Sequence, residues 1–192
     1  MLRWLTLLGI LFWFVAYWQG GRKVVSDIQK SAGVEDSRLD TYLMVSIVLS
    51  SVVVMGTGVL VTLGLVPLEL PRRWVVVAGG WLLSVIGIVG MFYCRHYLGR
   101  FWTAETTLMD GHQVVDTGPY GVVRHPIYSF AIVMYVGVGI VFPVWWNLLL
   151  VLGIVGAYAL KAQEEDGFLE EELEGYREYK ERVQYRIIPW VW

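Results

Sequence analysis

The sequence predicts an all-α, polytopic membrane protein with about five transmembrane helices, and three observations point there. Hydrophobic residues fill 56% of the 192 positions and charged residues only 17%, where a soluble domain carries about 25% charge. The charges gather between long apolar runs, which is the patterning of membrane spans. Small residues recur inside those runs, at Gly56, Gly58, Gly80, Ser84, Gly87, Gly90, Gly153 and Gly156. Lipid gives little hydrophobic drive for helix association, so close backbone approach over small residues takes its place.

The elements follow in order. Residues 2–18 are crowded with Trp and Phe and end on Ala16-Tyr17-Trp18-Gln19, without a small-residue cleavage pattern. They read as a retained span, not a signal peptide. Residues 41–66 would reach about 39 Å as a helix, enough to cross with tilt. A third span covers 74–93, after Pro71-Arg72-Arg73. Residues 127–160 form one apolar block interrupted by Pro143, which breaks the backbone ladder. Each half has roughly 16 to 17 residues, short for a full span, so a helical hairpin turning near Phe142-Pro143 is expected. Residues 163–183 are rich in charge, yet Phe168, Leu169, Leu173, Tyr176, Tyr179 and Val183 recur at near-helical spacing. An amphipathic helix lying on the bilayer or on the span ends is expected there, followed over 185–192 by an aromatic tail suited to the headgroup zone. The chain then forms a single integral membrane domain over 1–192. Residues 1–93 hold the first three spans, and 94–192 the long loop, the hairpin and the C-terminal helix.

Charge sets the expected orientation. With five spans, Arg3, Arg72 and Arg73 fall on one side and the other twelve basic residues on the opposite side. The positive-inside rule places the twelve-residue side in the cytoplasm, with the C-terminus and the 95–125 loop, and the N-terminus outside. A net charge of −2 without a basic stretch gives no footprint for nucleic acid. Cys94 is the only cysteine, which excludes an internal disulfide and a Cys-type zinc or iron–sulfur site. His96, His112 and His125 lack the i, i+4 spacing of a helical metal pair, so no metal is expected. Gly56-Thr57-Gly58 lies inside an apolar run and does not follow a strand, so it is no dinucleotide fingerprint. No oligomeric state is evident in the sequence.

Chemistry concentrates in the loop between the third span and the hairpin. Gly118-Pro119 is a turn signal, and Pro126 suits the first turn of the next helix, where its missing N–H costs nothing. That helix start presents free backbone N–H groups and a positive dipole end, with Arg124 and His125 beside it. Together they suit a carboxylate or phosphate, or alternatively anchor the helix to lipid headgroups. Glu164 and Glu165 follow the last span, and because the two ends of a hairpin are neighbours, Glu164 should return near His125.

The run Leu98-Gly99-Arg100, His112-Gln113-Val114-Val115, Gly118-Pro119-Tyr120 and Arg124-His125-Pro126-Ile127-Tyr128, followed after the hairpin by Glu164-Glu165 and by Tyr176-Arg177-Glu178-Tyr179-Lys180-Glu181-Arg182-Val183, resembles the isoprenylcysteine carboxyl methyltransferase family. The resemblance covers roughly residues 95–190. It implies methyl transfer from S-adenosylmethionine, with S-adenosylhomocysteine as product, to the carboxylate of a prenylated cysteine that enters sideways from the bilayer. The implied cofactor residues are His112, Gln113, Val114, Val115, Tyr120, His125, Pro126, Ile127, Tyr128, Glu164 and Glu165. A carboxylate is ionised at pH 7 and needs no general base; it needs a cation to hold it, for which Arg124 is the first candidate and Arg100 the second. The eukaryotic enzymes carry an arginine and a glutamate at the end of their last span, where residues 151–160 hold no charge. Another lipophilic carboxylate, thiol or amine therefore stays open as acceptor. Three rivals remain: an NADPH-dependent membrane sterol reductase, with a similar Arg-His-Pro corner and Ile-Ile-Pro tail, a phospholipid methyltransferase that differs only in acceptor, and a non-enzymatic lipid-binding membrane protein.

Overall fold

The computed structural model describes residues 38–67, 73–103, 106 and 108–192. Among these the chain is all-helical, with five α-helices and no strand. Helix α1 is Arg38–Leu63 and α2 is Trp74–Leu98. Short 3-10 turns follow at Gly99–Phe101 and Gly118–Gly121. Helix α3 is Pro126–Val141, α4 is Trp145–Glu172 and α5 is Tyr176–Arg182. The expected span over 2–18, and with it the N-terminal side of the membrane, lies outside the described residues.

Three of these helices are long and apolar enough to cross a bilayer, over Thr41–Leu63, Trp74–Phe101 and Trp145–Glu172. Helix α3 is shorter, 16 residues, or about 24 Å against a hydrocarbon core of about 30 Å. Large apolar side chains such as Leu49, Val52, Leu82, Val89, Leu149 and Leu152 point outward. That surface is compatible with lipid and not with water.

The hairpin forms where Pro143 predicts it. Phe142 closes α3 with its N–H on Val138 O at 3.0 Å, and Val144 N–H turns back to Phe142 O at 2.8 Å. Asn147 Nδ2 donates to the same Phe142 carbonyl at 3.0 Å from the first turn of α4. Helix α3 packs between α2 and α4, and α4 in turn packs on α1. Val54, Met134, Tyr135, Val138, Phe142 and Ile154 lie at the centre of the shared core. Polar ties cross it: Ser51 Oγ and Tyr135 OH lie 2.5 Å apart, and Trp146 Nε1 donates to Thr57 Oγ1 at 3.1 Å.

The α2–α3 seam is where the small residues act. A Cβ on Gly87 would stand 2.6 Å from Phe130 O and Met134 N, and one on Gly137 would stand 2.5 Å from Gly80 O. Backbone therefore meets backbone, and Ser84 Oγ uses the proximity to donate to Met134 O at 3.2 Å. This is the close approach that membrane helices require.

One boundary differs from the sequence expectation. The charged stretch after 160 does not start a new helix, because α4 runs on without interruption to Glu172. No proline or turn intervenes, and Lys161, Ala162 and Asp166 keep a buried face while Gln163, Glu164 and Gly167 face outward. The break comes after Glu172, where Leu173 turns extended, and the chain reverses through Gly175, whose φ of +82° a side chain disfavours. Helix α5 then folds back, burying Leu173, Tyr176, Tyr179 and Val183 against Leu108, Val114 and Leu169.

Gly137→Ala should therefore lower the detergent melting temperature, with an overpacking cost of about 1–3 kcal/mol. Gly56→Ala, where nothing lies within 4 Å of the added methyl, should leave it unchanged or raise it. Equal melting temperatures for the two variants would contradict the seam.

Candidate functional site

Asp166 gathers the site. It projects from α4 one turn beyond Ala162 and is only 1% exposed. Its carboxylate accepts from Arg124 Nε at 3.1 Å and Arg124 Nη2 at 2.7 Å, and from His125 Nε2 at 2.8 Å. It also accepts from Tyr176 OH at 2.7 Å and Arg186 Nε at 2.7 Å. Four side chains from three separate segments thus converge on one acid: the entry to α3, the start of α5 and the C-terminal tail. The remaining Arg124 nitrogen, Nη1, donates to Val183 O at 2.6 Å.

The backbone repeats the same alignment. Arg124 N–H donates to Tyr185 O at 2.9 Å and His125 N–H to Arg186 O at 2.8 Å. Ser129 Oγ donates to Ile187 O at 2.5 Å. The C-terminal tail is thereby strapped across the start of α3, as buried backbone groups require partners.

Glu165 occupies the neighbouring position but a different setting. Tyr128 OH donates to its Oε2 at 2.5 Å, and His125 Nδ1 stands 3.6 Å from the same oxygen. Its side chain retains 27% exposure against 2% for Asp166, so Glu165 keeps accepting capacity toward the exterior of the cluster. His125 lies flat on Tyr128, with centroids 5.4 Å apart and planes at 3°, and Tyr128 in turn meets Tyr158 at 5.1 Å.

Electrostatics follow from these contacts. Burial pulls the His125 pKa down, but hydrogen bonds and charge from Asp166 and Glu165 outweigh it and raise the pKa above the usual histidine value. Burial raises the Tyr176 phenol, and the Asp166 charge pushes the same way, so it stays a neutral donor. Burial alone is the main cause that raises Tyr120. His112 shifts downward on burial and is held neutral; it stacks on Phe101 with centroids 4.7 Å apart.

The structure sorts the residues nominated by sequence. His125, Pro126, Tyr128 and Glu165 come together. Tyr120 joins them through the loop: its hydroxyl donates to Cys94 O at 3.4 Å and its carbonyl accepts from Tyr179 OH at 2.8 Å. Val114 packs into the α5 cluster, Val115 and Ile127 are half-buried, and Gln113 is exposed. Glu164, expected as the returning partner of His125, is exposed on the opposite face of α4. The helical period explains this: Asp166 and Glu165, not Glu164, follow the buried stripe of Ala162. Arg124, nominated to hold an acceptor carboxylate, has all three guanidinium nitrogens donating to Asp166 and Val183 and is a structural cation. Arg100 is exposed, over the Phe101 ring at 4.8 Å.

Asp166, Tyr176 and Arg186 went unnominated. A signal for Asp166 exists in the sequence: residues 162, 166, 169 and 173 continue one helical stripe, otherwise Ala, Leu and Leu. An acid on an apolar stripe implies buried cationic partners.

Asp166→Asn keeps the shape but leaves the guanidiniums of Arg124 and Arg186 without their counter-charge and weakens the acceptor that His125 faces. Breaking a buried ion cluster in this way should cost about 3–5 kcal/mol and depress the melting temperature sharply. Glu164→Gln, on the exposed face, should stay within about 0.5 kcal/mol of the wild type. An Asp166→Asn protein that melts like the wild type would remove Asp166 from its central position.

A family model described as phospholipid methyltransferase matches residues 75–174. No curated protein matches the chain significantly. The matched region runs from α2 through the loop and the hairpin to the end of α4, and so contains the Arg-His-Pro corner, Glu165 and Asp166. The family includes the isoprenylcysteine carboxyl methyltransferases. With just over half of its length covered by that model, the chain is a membrane methyltransferase belonging to the phospholipid methyltransferase family.

Proposed function

We propose that this protein transfers a methyl group from S-adenosylmethionine to the carboxylate of a prenylated cysteine, or to a similar lipophilic acceptor, at the cytoplasmic face of the membrane. The observation that carries the reading is the meeting of Tyr128, His125 and Glu165 at the start of α3, with Tyr128 OH on Glu165 at 2.5 Å. The donor set fits the cofactor. A partly exposed carboxylate suits ribose hydroxyls or an ammonium group. The Tyr128 and Tyr158 faces suit a sulfonium.

Bound there, S-adenosylmethionine supplies a methyl group on a positively charged sulfur. Passing that methyl to a carboxylate oxygen would leave a neutral sulfide, so no residue here would need to take up a proton. The protein's work is therefore positional. His125, clamped between Asp166 and Tyr128, fixes the wall of the site, and the partly exposed carboxylate of Glu165 would face the cofactor. His112, Val114, Val115 and Tyr120 bring the loop over that region, and backbone amides at 113–115 are available to an adenine edge. In-line placement with water excluded is the main source of rate in such a transfer. The exposed apolar faces of α1, α2 and α4 leave a lipid tail free to approach from the bilayer, each buried methylene contributing about 0.8 kcal/mol.

Calorimetry on the detergent-solubilised full chain tests this reading. S-adenosylhomocysteine should bind with a dissociation constant in the micromolar range, on the order of 8 kcal/mol, and NADPH should not bind. Glu165→Gln should weaken S-adenosylhomocysteine at least about tenfold, near 1.4 kcal/mol, while Glu164→Gln should not. Binding of NADPH without S-adenosylhomocysteine would replace the methyltransferase reading with a reductase.

A further inference from the structure

Arg95 is a half-buried cation outside the Asp166 cluster. It lies in the last turn of α2, at the end of a candidate span. Its guanidinium stacks over the Trp102 ring at 4.2 Å and lies 5.8 Å from the Phe92 centroid. Nε is buried and has no hydrogen-bond partner. Among the described residues no carboxylate forms an ion pair with it, whereas Arg124, Arg177, Arg182 and Arg186 each have one.

Its location ties it to the site. The preceding residue, Cys94, accepts the Tyr120 hydroxyl, and the Tyr158 and Tyr120 phenols lie within electrostatic range of the guanidinium. Tyr158 meets Tyr128, which donates to Glu165. The Tyr128–Tyr158 pair thus stands within electrostatic range of Arg95 and carries the hydrogen bond to Glu165. A half-buried cation at a membrane span that lacks its counter-charge is costly unless a ligand supplies one.

Resting on the methyltransferase reading above, we infer that Arg95 is the acceptor-binding cation, taking the anionic head of a lipid substrate while Trp102 and Phe92 support the guanidinium from its apolar side. The ligand is a single-tailed or prenyl-tailed amphiphile with a carboxylate or a phosphate at its polar end. An arginine fork matches either anion in two-point fashion. Arg124 cannot serve, since Asp166 and Val183 already take its nitrogens.

The test uses the full chain in detergent, saturated with S-adenosylhomocysteine, and two matched probe pairs: N-acetyl-S-farnesylcysteine against its methyl ester, and dodecyl phosphate against dodecanol. The wild type should bind at least one anionic probe about tenfold or more tighter than its neutral mate. Arg95→Gln should bring that ratio to within about twofold while leaving the neutral probe and S-adenosylhomocysteine unaffected. Arg95→Lys, which keeps the charge and loses the fork, should fall between; it carries the test if Arg95→Gln does not fold. The inference is overturned if the wild type shows no preference in either pair, or if the variants retain it. It is equally overturned if Arg95→Gln weakens S-adenosylhomocysteine instead of the probe, since the anion held is then the cofactor's own. Failure of the wild type to bind S-adenosylhomocysteine at all would overturn the methyltransferase reading separately.

Discussion

A single carboxylate, that of Asp166, holds the functional half of this protein together. It lies on α4 just beyond the apolar part of the span, and it draws in Arg124 and His125 from the start of α3, Tyr176 from α5 and Arg186 from the tail. An ion cluster this deeply buried gains little over an apolar core in net stability. What it gives is definition: five short hydrogen bonds with directional partners permit one arrangement of three segments that apolar packing alone would leave free to slide. Glu165, its neighbour, inherits a fixed location from that arrangement and stays partly exposed.

This division of labour between adjacent acids explains why the Arg-His-Pro corner matters physically. Arg124 and His125 are inward-facing and structural, their charges matched by Asp166. Pro126 begins α3 without wasting a donor, and Tyr128, one turn into the helix from His125, joins His125 at Glu165. In the proposed reading the corner positions the site while Glu165 and Arg95 address the ligands. The α2–α3 seam serves the same end from below. Gly80, Gly87 and Gly137 let the two helices touch backbone to backbone, which fixes where Arg95 at the end of α2 stands relative to Tyr128 at the start of α3.

Much of this was legible in the residues themselves. Long apolar runs, Pro143 and the small-residue spacing gave the helices, the hairpin and the tight seam, because each is a local consequence of composition and period. The convergence of the α3 entry with the post-span acids followed from hairpin geometry. Which acid returns was harder. Glu164 and Glu165 look equivalent as a pair, and only the phase of α4, which continues unbroken through the charged stretch to Glu172, turns Glu164 outward and Asp166 inward. Charge density suggested a new amphipathic helix there, yet nothing between 160 and 172 stops the old one. Arg124 misled for a related reason. A cation at a helix start looks free to bind an anion until the acid 42 positions away is seen beside it.

Amide hydrogen exchange of the full chain in lipid nanodiscs, with and without S-adenosylhomocysteine, tests most directly whether the acid-centred cluster frames a cofactor site. Ligand should slow exchange together at the 112–128 loop and helix start, at 161–166 on α4 and at the 185–187 strap, while the 41–63 span stays unchanged. Slowing confined to one of these segments, or none at all on saturation, would contradict the account.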